Sequence, residues 1–385
     1  MTGPIITRFR KLYGTDPEVI ARAPGRIEFI GNHTDYNGGP VLGAAISREV
    51  WVALARRPGQ PRRFSSGETG TVVSLPPDRV ERASGSASWT NYSVGMLAVF
   101  AQMGLVVPAG FDLLTMADLP IGAGLSSSAA LELASGLAFL EAAGQDLPRG
   151  DLVRAARRAE NEFVGVPVGI LDQAVSGFGR AGHLVHIDCR GPMFSTVPVP
   201  LGCALWIFNT HTKHALSDGL YARRHGECLE AARALGVTLL AEATQEGLAS
   251  ARPRMSEAAY RRARHIIGEC ARVAETVRLL GSGDLAGVGR LLCESHASSR
   301  DWFENSTPEL DFLVESLAAS PGVHGARLSG GGFGGAVMAL ASSGFGASEA
   351  DRVAAAYAAR FKSDPLLLRA ETAEGASLIL GLAGS

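Results

Sequence analysis

Short apolar runs broken by Gly, Pro and Asn fill residues 18–55. Val19-Ile-Ala-Arg-Ala, Arg26-Ile-Glu-Phe-Ile and the β-branched stretch from Ile46 to Leu54 read as strands, with turn residues between them. Residues 90–105 and 150–165 carry apolar side chains at helical spacing. Between them, the glycine-rich loop Pro120-Ile-Gly-Ala-Gly-Leu125 runs into Ser126-Ser-Ser-Ala-Ala-Leu-Glu-Leu-Ala, where serine suits an N-cap and Ala, Leu and Glu favour helix. Ala204-Leu-Trp-Ile-Phe208 reads as a buried strand, and residues 210–320 as mainly helical with a turn at Ser282-Gly-Asp-Leu. Two strands, Gly325-Ala-Arg-Leu-Ser and Ala336-Val-Met-Ala-Leu, flank Gly330-Gly-Gly-Phe-Gly-Gly335. The pattern is α+β, and a shift from strand-rich to helix-rich sequence after Val197-Pro-Val-Pro200 predicts two domains, 1–200 and 201–385.

Composition narrows the partners. The 385 residues are 46% hydrophobic and 19% charged, and 36 basic against 38 acidic residues leave a net charge of −2. No concentrated basic face is evident, so neither nucleic acid nor an anionic membrane is an expected partner. The basic run from Arg56 to Arg63 reads as a solvated loop. Five dispersed cysteines, none in a CxxC pair, suit reduced thiols in a cytosol. The N-terminus lacks the apolar run of a signal peptide, and Ala204–Phe208 is far too short to span a bilayer, so a cytoplasmic location is expected.

The loop before Ser126 has the chemistry of a phosphate site. A helix N-terminus offers free N–H groups and partial positive charge, and glycines let the backbone approach an anion. No Gly-Lys-Ser/Thr follows, so it is not a Walker A loop; a plain turn is the alternative. Gly330, Gly332 and Gly335 fit dinucleotide and protein-kinase glycine patterns, but a strand follows and no HRD or DFG tripeptide occurs. Five glycines in those six residues mean that the backbone passes close to another segment or to a ligand. Arg26, Glu28, Asn32, His33, Asp35, Tyr36 and Asn37 crowd between apolar runs, a mixture of donors and acceptors that suits sugar hydroxyls; a solvated turn, signalled by Asn37-Gly38, is the alternative. Asp172, behind Gly165-Val-Pro-Val-Gly-Ile-Leu, is either a helix cap or a group that orients or deprotonates a hydroxyl.

In this order the segments resemble the GHMP kinase superfamily, and galactokinases in particular. Pro24-Gly-Arg-Ile-Glu-Phe-Ile-Gly-Asn-His-Thr-Asp-Tyr-Asn-Gly-Gly39 is similar to the galactokinase signature. Pro120 to Ala130 resembles the superfamily phosphate loop, and Leu328-Ser-Gly-Gly-Gly-Phe-Gly-Gly335 its C-terminal glycine motif. Gly169-Ile-Leu-Asp-Gln173, Ile187-Asp-Cys-Arg190, His214-Ala-Leu-Ser, Tyr221-Ala-Arg-Arg224 and Pro308-Glu-Leu-Asp311 also look like galactokinase segments.

The resemblance implies a two-domain GHMP kinase fold with the active site in the inter-domain cleft. It also implies ATP- and Mg²⁺-dependent phosphorylation of the C1 hydroxyl of galactose, by a monomer or weak dimer. Asp172 would be the catalytic carboxylate, with Arg26 beside it stabilising charge on the transferring phosphoryl group. Asn32, His33, Asp35, Gly169 and Tyr221 would form the sugar site. Gly122, Gly124, Leu125, Ser126, Ser127 and Ser128 would cradle the ATP phosphates, with Trp89 and Asn91 near the base and Ser128 and Glu160 at Mg²⁺. One position departs from the pattern: Asn32 stands where galactokinases carry a Glu that contacts the sugar's C6 hydroxyl. That departure admits a kinase for another monosaccharide. A sugar- and ATP-binding regulator without catalysis is the further alternative.

Overall fold

Strand-rich sequence at the N-terminal end becomes one large sheet. The computed structural model describes residues 1–67, 69–77, 80–119, 124–191, 193–213 and 217–382. Gly122 of the phosphate loop and the family-like His214-Ala-Leu therefore lie outside the described residues. The first sheet joins β1 (Val19–Ile30), β2 (Pro40–Arg56), β3 (Arg62–Ser66), β4 (Val72–Leu75), β5 (Phe111–Ala117), β6 (His183–Asp188) and β7 (Met193–Pro198). A second sheet has the order β11-β8-β10-β9, with β8 Cys203–Lys213, β9 Val323–Ser329, β10 Gly334–Ser342 and β11 Leu366–Ala370, all antiparallel. The last strand, β12 (Ser377–Leu380), returns to the first sheet and pairs with β1.

The apolar run in β8 is continuous because both of its faces are covered. Leu205 and Ile207 join the large core that extends to the first sheet and its helices, including Ser127–Ala142 and Leu171–Phe178. Ala204, Trp206 and Phe208 point the other way, into a smaller core with helices Pro308–Ala318 and Ala347–Phe361. Alternate strand residues thus serve two layers.

Two expectations change. The first two N-terminal apolar runs form a single strand: β1 passes through Pro24-Gly25 with a register shift against β2. A side chain at Gly25 would meet the Leu125 carbonyl at 2.8 Å, so this pair allows a close approach to the phosphate-loop segment. The basic run is also only partly solvated. Arg62 is buried and donates to the Pro108 carbonyl, while Arg57 and Arg63 both pair with Asp112. Among the described residues no helix is long and apolar enough to cross a membrane, and all five cysteines are unpaired.

Candidate active site

The bulged approach at Gly25 fixes Arg26. Its backbone N–H donates to the Leu125 carbonyl at 3.0 Å, and its guanidinium donates to the Gly124 carbonyl at 2.7 Å. The same guanidinium holds Asp172 Oδ1 through Nε at 2.8 Å and Nη2 at 2.7 Å. Asp172 lies in the first turn of Leu171–Phe178, and its Oδ2 accepts from the Ser126 hydroxyl. Ser126 has a left-handed backbone (φ 57) and makes no side-chain cap to the helix that follows. The hydroxyl expected to cap that helix is instead committed to Asp172.

This ion pair lines a cleft of about 680 Å³ between the lobe built on the first sheet and the lobe built on the second sheet and the helices between β8 and β9. One wall carries Glu28, Asn32, His33, Asp35 and Gly169; the other carries Tyr221 and the β9–β10 hairpin from Gly330 to Phe333. That hairpin is a tight turn that also reaches the cleft, and a side chain at Gly332 would meet the Asn305 carbonyl at 2.2 Å. Gly169 is small for a similar reason: a Cβ there would sit 1.5 Å from Asp35 Oδ2. Asp35 accepts from the Tyr36 and Leu171 N–H groups, and burial raises its pKa. His33 is neutral, because burial lowers its pKa to about 3. Its Nε2 pairs with the Gly331 carbonyl and its Nδ1 with the Tyr36 hydroxyl, so the ring offers the cleft an aromatic surface stacked on Phe303.

A second cavity of about 400 Å³ is lined by Trp89, Tyr92, Thr69, Thr71 and, next to Ser126 in the chain, Ser127 and Ser128 among others. Asn91 does not line it. Its amide takes up both backbone groups of Ala83, which pins the loop before helix Asn91–Gln102. Glu160 hydrogen-bonds Ser128, and its pKa is pushed up to about 7 by burial and then by Asp172. Gln173 donates to Glu160 at 2.6 Å and to the fully buried Glu132 at 3.1 Å.

Behind the cleft runs a buried network with little local sequence signal. Glu269 accepts from the Gly31 and Asn32 N–H groups, Ser295 and Arg272. Arg327, fully buried on β9, pairs with Glu28 at 2.9 Å and donates to Ser295. His265 binds the Asn32 carbonyl at 3.0 Å. These partners lie more than 230 residues from the N-terminal motif, and only polar residues on otherwise apolar helix faces hint at them.

The network has a pH signature. Burial lowers the pKa of His33 to about 3 and that of His265 to about 4, whereas unfolded imidazoles protonate near 6.5. Unfolding therefore binds up to two extra protons below that pH, and stability should fall by as much as roughly 2.7 kcal/mol per unit as pH drops from about 6.5 towards 4. Burial opposes the charge on Glu269, but Arg272, His265 and Arg327 overcome it and hold its pKa at about 2, which extends the loss below about 4.5. Urea unfolding at several pH values and constant ionic strength tests this; a flat profile between pH 7 and 5 would contradict it.

Three segments match family models: the galactokinase galactose-binding signature at residues 7–56, the GHMP kinase N-terminal domain at 91–180 and the GHMP kinase C-terminal domain at 276–363. Galactokinase of Roseiflexus sp. is 39% identical over 344 residues, covering 88% of this chain and 87% of its own. The human galactokinase is 39% identical over 343 residues, covering 86% of each. This chain belongs to the galactokinase family. Lactococcus lactis galactokinase, solved in complex with galactose, superposes with a TM-score of 0.94 at 32% identity over 98% of this chain and 99% of its own. A Methanococcus jannaschii mevalonate kinase, at 15% identity and a TM-score of 0.66 over 92% of this chain and 98% of its own, shares the fold. Of the residues that the galactokinase resemblance implied, the main cleft brings together Arg26, Asn32, His33, Asp35, Gly169, Asp172 and Tyr221. The second cavity collects Trp89, Ser127 and Ser128.

Proposed function

We propose that this chain transfers the γ-phosphoryl group of ATP to the C1 hydroxyl of galactose, giving galactose 1-phosphate and ADP in the cytoplasm. The observation that carries the reading is the Arg26–Asp172 pair lining an inter-lobe cleft, joined through Ser126 to the phosphate-loop segment. Sugar in the main cleft and nucleotide in the second cavity would then meet at Ser126 and Asp172. Phosphoryl transfer needs positioning and charge neutralisation more than covalent help. Asp172 orients the C1 hydroxyl and accepts its proton, while Arg26 faces the charge that builds on the phosphoryl oxygens. Asp35 and Tyr221 hydrogen-bond the sugar, and His33 packs against it. Gly124, Leu125 and Ser126 to Ser128 border the phosphates.

The Ser128 hydroxyl and the Glu160 carboxylate are hard oxygen donors joined by a hydrogen bond, and they fit Mg²⁺. The ion would take its other ligands from phosphate and water. When bound, Mg²⁺ would neutralise phosphate charge. The alternatives of another sugar or a non-catalytic role are not favoured, since the relatives compared above are galactokinases and Arg26 and Asp172 are both in place.

The test is ADP release from Mg-ATP with a panel of monosaccharides. Galactose should give the highest kcat/KM; ATP binding without turnover on any sugar would sink the reading. A second prediction follows from Gly169. Gly169→Ala forces Asp35 aside and should raise the galactose KM by at least about tenfold, the typical weight of a hydrogen bond to a charged group. ATP affinity should stay unchanged. An unaltered galactose KM would remove Asp35 from the sugar site.

A further inference from the structure

Asn32 has no hydrogen-bonding capacity left for a sugar. Its Nδ2 donates to Glu28 at 3.1 Å and to the Gly330 carbonyl at 2.8 Å, and its Oδ1 accepts from Asn305 at 2.7 Å and Ser299 at 3.3 Å. An amide offers two donors and two acceptor positions, and all four are occupied. The residue is fully buried.

Its partner Glu28 is differently placed. The Glu28 side chain lines the cleft, and only Oε1 is fully engaged, by Asn32 and by Arg327 at 2.9 Å. Oε2 has one long contact, to Asn32 at 3.4 Å, and keeps room to accept another hydrogen bond. The backbone beneath is fixed as well, because Ser329 Oγ accepts from Glu28 N–H at 3.0 Å and donates to its carbonyl at 3.1 Å. Arg26 and Glu28 stand two residues apart on one face of β1, roughly 6–7 Å along the strand. That spacing is comparable to a hexopyranose with its exocyclic arm. With C1 at Arg26 and Asp172, a hydroxyl on the exocyclic arm would come within reach of Glu28.

We propose that Glu28, not Asn32, recognises the C6 hydroxyl of the sugar: it supplies the carboxylate that the galactokinase resemblance implied at position 32, and Asn32 holds it. The inference rests on the galactose reading above and names the wall that reads the sugar's far end. Glu28 is a preorganised acceptor, locked by Arg327 and Asn32 before the sugar arrives. A site built to bind a hydroxyl rejects the analogue that lacks it, because the buried acceptor is then left unpaired.

The experiment compares kcat/KM for galactose and 6-deoxygalactose in the wild-type protein, in Glu28→Gln and in the transposed variant Glu28→Asn/Asn32→Glu. Wild type should prefer galactose by at least about 100-fold, and Glu28→Gln should narrow that preference by at least about tenfold, mainly through the galactose KM. The transposed variant keeps one carboxylate and one amide in contact and should hold the wild-type preference to within about threefold. It also carries the test if Glu28→Gln leaves Arg327 unpaired and fails to fold. An unchanged preference in folded Glu28→Gln overturns the proposal, as does its loss in the folded transposed variant. A wild-type enzyme active on both sugars alike overturns this proposal alone, whereas one that turns over no galactose overturns the reading beneath it.

Discussion

Asp172→Asn should lower kcat by at least about 1,000-fold while galactose still binds with near wild-type affinity. The cleft's carboxylates are Glu28, Asp35 and Asp172, and only Asp172 is bound both to Arg26 and to the phosphate-loop serine. Asparagine keeps the shape but removes the charge and one acceptor, so its amide N–H groups would face either Arg26 or the Ser126 hydroxyl. The C1 hydroxyl then loses both the group that orients it and the group that takes its proton. Binding should survive, because the rest of the sugar contacts other residues of the cleft. Calorimetric titration with galactose, set beside ADP release, separates the two effects. Near-normal turnover would take Asp172 out of the mechanism; lost binding would make it a sugar-holding residue instead.

The residues proposed to do the chemistry sit in compact motifs, which is why so much of the candidate site is legible in the sequence. Arg26, His33 and Asp35 fall within one loop and the end of one strand, and Asp172 stands close behind Gly169. Their approximate places follow from local pattern, and their common purpose from the family resemblance. What local pattern does not carry is orientation. Ser126 looks like an N-cap, yet its left-handed backbone sends the hydroxyl to Asp172. Asn91 sits beside Trp89 in sequence, yet it turns back to pin Ala83. His33 is a plausible sugar ligand by type, but both ring nitrogens are taken up within the protein. Pro24-Gly25 reads as a turn and proves to be a bulge, because the pairing of β1 with β2 outweighs the local signal. The least legible part is the network around Glu269 and Arg327, whose members meet only after the helical lobe packs on the first.

That network predicts the largest stability change in the molecule. Glu269→Ala should destabilise the protein by about 3–5 kcal/mol, the usual range when one partner of a buried ion pair is removed. Glu269 is fully buried, and one carboxylate satisfies the Gly31 and Asn32 N–H groups, the Ser295 hydroxyl and Arg272. Alanine leaves Arg272 without its ion-pair partner and two backbone donors unpaired in a dry interior. The apolar surface gained is too small to offset that. Glu269→Gln keeps the volume and one acceptor, and should lose less because only part of the network goes unpaired. Denaturant titration of the three proteins at pH 7 gives the order directly; a cost below about 1 kcal/mol for Glu269→Ala would mean that water replaces the carboxylate. The loss should also reach the active site. Gly31 and Asn32 lead directly into His33 and Asp35, so the fraction of Glu269→Ala that stays folded should bind galactose more weakly than wild type, with ATP binding at the second cavity unaffected.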